Sequence, residues 1–117
     1  MRNHVQLADA YYRLSDEERK YGESASITNQ RTIVREYCER HGIILVEEFV
    51  DDGFSGGNFE RPGFQAMLEH LRTGKANMVI TKDLSRLDRD MTESSHYAER
   101  YFPEHGIRYL APGSNFV

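Results

Sequence analysis

Hydrophobic and polar positions follow two periods along this chain, and the period switches several times. VQLADAYYR (5–13) is dense in apolar and aromatic positions and predicts a strand. LSDEERKYGES (14–24) is polar and turn-like. From Ile27 the apolar positions fall at Ile27, Val34, Tyr37, Cys38 and His41, with Gln30 and Arg31 filling the intermediate turn, which is helical spacing. Ser24 or Ser26 is placed to cap the start of that helix, and Gly42 to end it. IILVEEFV (43–50) is a short β-prone run. DDGFSGGNFE (51–60) carries three glycines and two aspartates and predicts a loop. Pro62 suits the first turn of a second helix, whose one face is Phe64, Met67, Leu68 and Leu71 and which Gly74 stops. MVIT (78–81) reads as a third strand and KDLSRLDRD (82–90) as a polar connection. Residues 92–105 predict a third helix, with Pro103 weakening its last turn, and IRYLA (107–111) a fourth strand.

That order, β-α-β-α-β-α-β, predicts an α/β fold. A single domain is expected, with a mainly parallel sheet of about four strands, right-handed crossovers and helices on both faces. In such open sheets ligands bind beyond the carboxyl ends of the strands. RLS (13–15), DDGFSGG (51–57) and TKDLSRLDRD (81–90) follow the first, second and third strands, so the unusual sequence gathers on one edge.

A length of 117 residues suits one domain, and 38 % hydrophobic residues supply one modest core. With 29 % charged residues the chain is of the soluble, globular class. No apolar run approaches the roughly 20 residues that span a bilayer, and MRNHVQLADAYY (1–12) lacks the apolar stretch of a signal peptide. One cysteine, Cys38, excludes an internal disulfide framework and a cysteine-based zinc cluster, and fits a reducing cytosol. The net charge of −4 argues against coating DNA by bulk charge, but leaves room for a local basic site.

Candidate chemistry centres on Ser15. A serine after a strand is ordinarily a turn residue, or a cap working with Asp16, Glu17 and Glu18 where a helix begins. Its neighbours suggest more. Arg13 lies two residues away and shares its face in a strand; Arg86 and Arg89 arrive from the end of the third strand; Arg61 follows the glycine loop. Arginine stays protonated and binds phosphate oxygens in a planar fork, so several arginines around one hydroxyl suit attack on a phosphodiester. Arg86 and Arg89 share a face on a helical turn, although Asp88 and Asp90 interleave as on a solvated surface. Asp51 or Asp52 is a candidate metal ligand, but the distal glutamate of a calcium loop is missing, and no GK[ST] follows SGG to make a phosphate loop. The loop is better read as a lid or a partner-facing segment. The five histidines show no zinc spacing, and Cys38 falls on the apolar face of its helix, which points to the core.

Taken in order, YYRLS (11–15), SITNQ (26–30), DDGFSGGNFERPGF (51–64), TKDLSRLDRD (81–90) and YFPEHGIRYL (101–110) resemble the catalytic domain of serine site-specific recombinases, the resolvase/invertase family, and most of all the large serine recombinases of mobile elements. The resemblance implies that Ser15 attacks the DNA backbone, leaving a 5′-phosphoserine link and a 3′-hydroxyl. It implies that Arg13, Arg86 and Arg89 hold the scissile phosphate, that Arg61 faces the DNA phosphate, and that Gln30 helps to organise the site. Lys82 and Ser85, in the fourth segment, join the phosphate-binding or site-organising set. The bond energy is kept in the phosphoserine, so the resemblance implies no cofactor, neither ATP nor metal. Ser85 stands where small resolvases carry an aspartate, which leaves the general acid unassigned; Asp88 stands where a glycine is usual and adds a negative charge between Arg86 and Arg89.

The family continues into a long oligomerisation helix and DNA-binding domains. Residues 1–117 are therefore expected to be the N-terminal catalytic domain alone, excised or truncated. The implied partners are double-stranded DNA, bound by the full-length protein, and further copies in a dimer and synaptic tetramer. No membrane is implied, and the implied location is the bacterial cytoplasm, at the nucleoid when acting. The principal competing function is a noncatalytic α/β module that binds an anion or nucleotide. A receiver-like domain would place aspartates where arginine and serine stand. A serine hydrolase ranks last, since no histidine sits at an expected strand end. A fragment that folds and self-associates without chemistry is a fourth possibility.

Overall fold

The computed structural model describes residues 5–15, 18, 20, 22, 25–53, 61–87 and 96–114. Four strands form one sheet in the order β2-β1-β3-β4: β1 (Leu7–Leu14), β2 (Ile44–Asp52), β3 (Met78–Ile80) and β4 (Arg108–Leu110). Every pairing is parallel, as expected. Helix α1 (Ile27–His41) links β1 to β2, and α2 (Pro62–Arg72) links β2 to β3. The third helix, α3, winds as a π-helix over Tyr97–Tyr101 and as an α-helix over Phe102–Glu104.

The alternation along β1 sets the two layers. Ala8, Ala10 and Tyr12 face α1, packing with Val34, Cys38, Met78 and Ile80. Tyr11 faces the other way, with Phe64, Met67 and Leu71 of α2 and Phe102 of α3. Helices thus cover both faces. Each fully buried Phe64 or Met67 side chain contributes on the order of 1.5–3 kcal/mol. β1 and β3 are the central strands and are almost wholly buried, while β2, at an edge, is largely half-exposed.

Local signals explain the ends of α1. The Ser26 hydroxyl accepts the Asn29 N–H at 3.0 Å, and Gly42 closes the helix in the left-handed region at φ 69°. Gln30, Val34 and Cys38 form its buried stripe, whereas His41 is exposed and stacks on Tyr37 at 4.1 Å. Helix α2 begins differently. Its own N-cap residue, Arg61, supplies no side-chain cap. The cap comes from β2: Asp51 accepts the N–H groups of Gly63 at 2.8 Å and Phe64 at 2.9 Å, and the Tyr11 hydroxyl at 2.7 Å. The candidate metal ligand Asp51 is therefore a helix anchor, with both oxygens occupied by protein donors. Gly63 permits this contact, since a Cβ there would meet the Val50 carbonyl at 2.7 Å.

Other departures from expectation are small. β2 runs to Asp52, beyond the expected end at 50. In α3 the π turn places the Phe102 N–H on the Tyr97 carbonyl, immediately before Pro103. Proline lacks an N–H and crowds the preceding turn, so a widened turn is a natural accommodation. The third helix was expected from 92, but residues 88–95 lie outside the described set. Among the described residues no helix is long and apolar enough to cross a membrane.

Candidate active site

The sheet order locates the site. From β1 the chain steps to β2 on one side, and later to β3 on the other, so the ends of β1 and β3 flank a topological switch point. Arg13 and Ser15 lie at the end of β1; residues 81–87 follow β3. A short 3-10 turn, Leu84–Arg86, aims the second group at the first.

Arg13 is fully buried. Its Nε donates to the Arg86 carbonyl at 3.2 Å and its Nη2 to the Ser85 carbonyl at 2.7 Å. Arg86, almost as buried, reciprocates through Nη1 to the Arg13 carbonyl. Each arginine thus fixes the other's backbone. Gln30, from α1, completes the clamp: its Oε1 accepts the Arg13 N–H at 3.2 Å, and its Nε2 donates to the carbonyls of Arg13 at 2.9 Å and Ala25 at 3.1 Å. A polar residue inside the buried stripe of α1 is explained by this one strand residue. Burial, helped by the charge of Arg86, draws the Arg13 guanidinium below its ordinary range, against the opposing pull of Glu18.

Glu18 joins the nucleophile candidate to the arginines. Its Oε1 accepts the Ser15 N–H at 3.0 Å and the Ser15 hydroxyl at 3.1 Å, while the Glu18 N–H returns to Ser15 Oγ at 3.2 Å. Its Oε2 accepts Arg86 Nη2, and Arg13 Nη1 stands 3.6 Å from Oε1. Burial opposes ionisation of this carboxyl, but the bonds from Arg86 and the Ser15 N–H, with the charges of Arg86 and Arg13, more than offset it and hold Glu18 below the usual carboxylate range. The sequence offered Glu18 only as part of an acidic capping run. The S-x-x-E spacing of Ser15 and Glu18 is the signal of a reciprocal capping box, and that box forms.

The remaining expected site residues are placed as follows. Ser85 donates its hydroxyl to Asp83 at 2.5 Å and accepts Arg86 Nη2 at 3.0 Å, so it orients the arginine. Lys82 donates to Asn29 Oδ1 at 2.9 Å, tying the loop after β3 to the first turn of α1 beside Gln30. Arg61 is buried rather than surface-facing: its guanidinium lies over the rings of Tyr11 at 5.5 Å and Phe64 at 5.0 Å, and Nη2 donates to the Leu87 carbonyl. It supports the 84–87 turn from beneath. Arg89, Asp88 and the glycine loop at 54–60 lie outside the described residues. Among the described residues no group of side chains has the composition to hold a metal ion. Cys38 is buried, and burial raises its thiol to about 11, in keeping with a core position.

A part-buried polar pair away from this edge also escaped the sequence. Asp9, on β1, meets Nδ1 of His70, on α2, at 2.6 Å. Neither residue has a local motif; only the packing of α2 across the sheet joins them.

Comparison with known proteins agrees with the fold. The family described as "Resolvase, N terminal domain" matches residues 8–109. Three solved structures share the fold. The N-terminal catalytic domain of TP901-1 integrase is similar at 24 % identity and TM-score 0.79, over 91 % of this chain and 76 % of that one. The C-terminal catalytic domain of ISC1926 TnpA, an IS607-like serine recombinase, is similar at 22 % and 0.75, over 91 % and 69 %. A resolvase family site-specific recombinase from Streptococcus pneumoniae is similar at 22 % and 0.73, over 91 % and 71 %. No curated protein sequence matches the chain.

Proposed function

We propose, for a chain that belongs to the resolvase family through its N-terminal domain, that Ser15 cleaves and rejoins DNA as a covalent nucleophile. In this scheme Ser15 Oγ bonds to phosphorus and the bond from phosphorus to the 3′ oxygen breaks. The serine hydroxyl gives up its proton, and the departing oxygen gains one to become a 3′-hydroxyl. The 5′ end stays on Ser15 as a phosphodiester of similar energy, so the reverse attack rejoins strands without ATP. Negative charge grows on the nonbridging oxygens in the transition state. Arg13, Arg86 and Arg89 stabilise it, with Gln30, Ser85, Lys82 and Arg61 holding the frame.

One observation carries this function: the Ser15 hydroxyl, Arg86 and Arg13 converge on a single carboxylate, that of Glu18. That convergence supports an anion seat beside the Ser15 hydroxyl, as attack on a phosphate requires. The reciprocal Ser15–Glu18 bonds favour the competing function, in which Ser15 is only a cap and the arginine edge binds an anion without chemistry. In the favoured scheme residues 1–117 are the catalytic part of a longer protein. Its downstream helix and DNA-binding part hold double-stranded DNA in a dimer and synaptic tetramer, in the bacterial cytoplasm. The test joins this chain to that downstream part and incubates it with supercoiled DNA of its own element, with chelator present. A covalent protein–DNA adduct is expected from the wild type, none from Ser15→Ala, and an adduct rate at least about 100-fold lower from Arg86→Ala. Adduct formation by Ser15→Ala, or normal rates in Arg86→Ala, would move the noncatalytic module to the front.

A further inference from the structure

Glu18 is bound more completely than a cap requires. A capping box accounts for its contacts with the N–H and hydroxyl of Ser15. It does not account for Arg86, which grips the other carboxylate oxygen, or for Arg13, which is buried beneath. The glutamate side chain is only 15 % exposed. Arg13 Nη1 is buried, makes no hydrogen bond and lies 3.6 Å from Glu18 Oε1. The seat therefore offers more donors than a carboxylate fills. A phosphodiester, with two nonbridging and two ester oxygens, has acceptors for the extra one.

We propose that Glu18 is a built-in occupant of the phosphate seat, holding Ser15 idle until a DNA phosphate displaces it. The proposal rests on the DNA-cleaving function of Ser15 set out above. Three features follow from the geometry. The Ser15 hydroxyl donates a hydrogen bond to Glu18 Oε1 and accepts one from the Glu18 N–H, so both its donor and an acceptor direction are taken up within the turn. A carboxylate and a phosphate cannot share these donors, because they compete for the same N–H groups and repel each other. Displacement is local: among the described residues the backbone bond that closes this turn runs from the Glu18 N–H to the Ser15 carbonyl at 3.1 Å. Opening that turn releases the nucleophile and the arginines together, which couples activation of Ser15 to arrival of the substrate.

The test uses the isolated chain, labelled with 15N and 13C, titrated with inorganic phosphate at constant ionic strength. The Ser15 amide and the Arg86 Nε–H report occupancy. Glu18→Gln and Glu18→Ala are expected to bind phosphate about tenfold or more tightly than wild type, since the competing closed state is removed. Arg86→Ala is expected to abolish binding in either background. In the wild type, saturating phosphate is expected to move the Glu18 side-chain carboxyl signal to its solvated position, a readout that needs no variant to fold. Equal affinity with and without Glu18, still abolished by Arg86→Ala, would overturn the displacement proposal and leave the anion seat standing. A Glu18 carboxyl signal that stays put while phosphate binds would do the same. No response to phosphate in any protein would overturn the seat itself, and with it the proposed chemistry.

Discussion

Replacing Gln30 by methionine keeps the volume of the side chain and deletes its three hydrogen bonds. Two of those bonds hold the backbone of Arg13 and one holds Ala25, at a position only 1 % exposed. The losses are unequal. The Arg13 carbonyl retains Arg86 Nη1, and the Ala25 carbonyl lies at a half-buried position within reach of water. The Arg13 N–H is left buried with no acceptor. One orphaned buried donor costs roughly 1–3 kcal/mol, and the two lesser losses add little, so about 2 kcal/mol is expected. With a urea slope of about 2 kcal/mol per M for a small domain, the unfolding midpoint falls by about 1 M. Function should suffer further, because Arg13 is no longer pinned where it meets Ser85 and Glu18; a displacement of about 1 Å can cost on the order of 100-fold in rate. Urea unfolding of the isolated chain, beside adduct formation by the longer protein, measures both. An unchanged midpoint would refute the view that Gln30 clamps the strand end. A lowered midpoint with normal adduct formation would refute its link to the site.

Two other perturbations test the frame around the site. Gly63→Ala places a Cβ 2.7 Å from the Val50 carbonyl and 3.0 Å from both Asp51 oxygens, so α2 must shift off its anchor; a loss of about 1–3 kcal/mol is expected in urea unfolding, against almost none for Ala substituted at an exposed helix position. Two carboxyls should give stability opposite slopes against pH. Glu18 is held below its ordinary 4.5, so its contribution is complete above that value and is lost as pH falls through its lower native value; Glu18→Gln should flatten this acid limb. Burial raises Asp9 above its ordinary 3.8, despite the opposing His70 contact, so the native state holds the proton longer and stability declines as pH rises through that window; Asp9→Asn should remove the decline. Chemical denaturation across the acid range distinguishes the two, and slopes of equal sign would contradict the assignment.

What was legible in the sequence follows from the range of the interactions. The caps of α1 at Ser26 and Gly42, the proline start of α2 and the alternation of β1 depend on neighbours a few residues away, and the pattern displays them. The parallel sheet and the edge bearing Arg13, Ser15 and Arg86 followed from the β-α-β succession and the rule that ligands bind beyond the strands' carboxyl ends, whereas the order β2-β1-β3-β4 is set by tertiary packing. The rest is tertiary. Asp51 looked like a metal or loop residue because its partners, Gly63, Phe64 and Tyr11, come from α2 and β1. Arg61 was expected as a phosphate-binding or site-organising residue, and the aromatic rings that bury it belong to β1 and α2. Gln30 entered by resemblance; its physical role needed the end of β1 to pass over the start of α1. Glu18 had a visible local signal in S-x-x-E, but its ion pair with Arg86 spans 68 residues of sequence.

In the proposed chemistry Ser15 becomes covalently joined to DNA. The most direct measurement digests the protein–DNA adduct with protease and nuclease, and locates the attached nucleotide by tandem mass spectrometry. A nucleotide linked through its 5′ phosphate to Ser15 is expected, with a free 3′-hydroxyl on the other side of the same strand break. A nucleotide on any other residue, or a link through a 3′ phosphate, would contradict it.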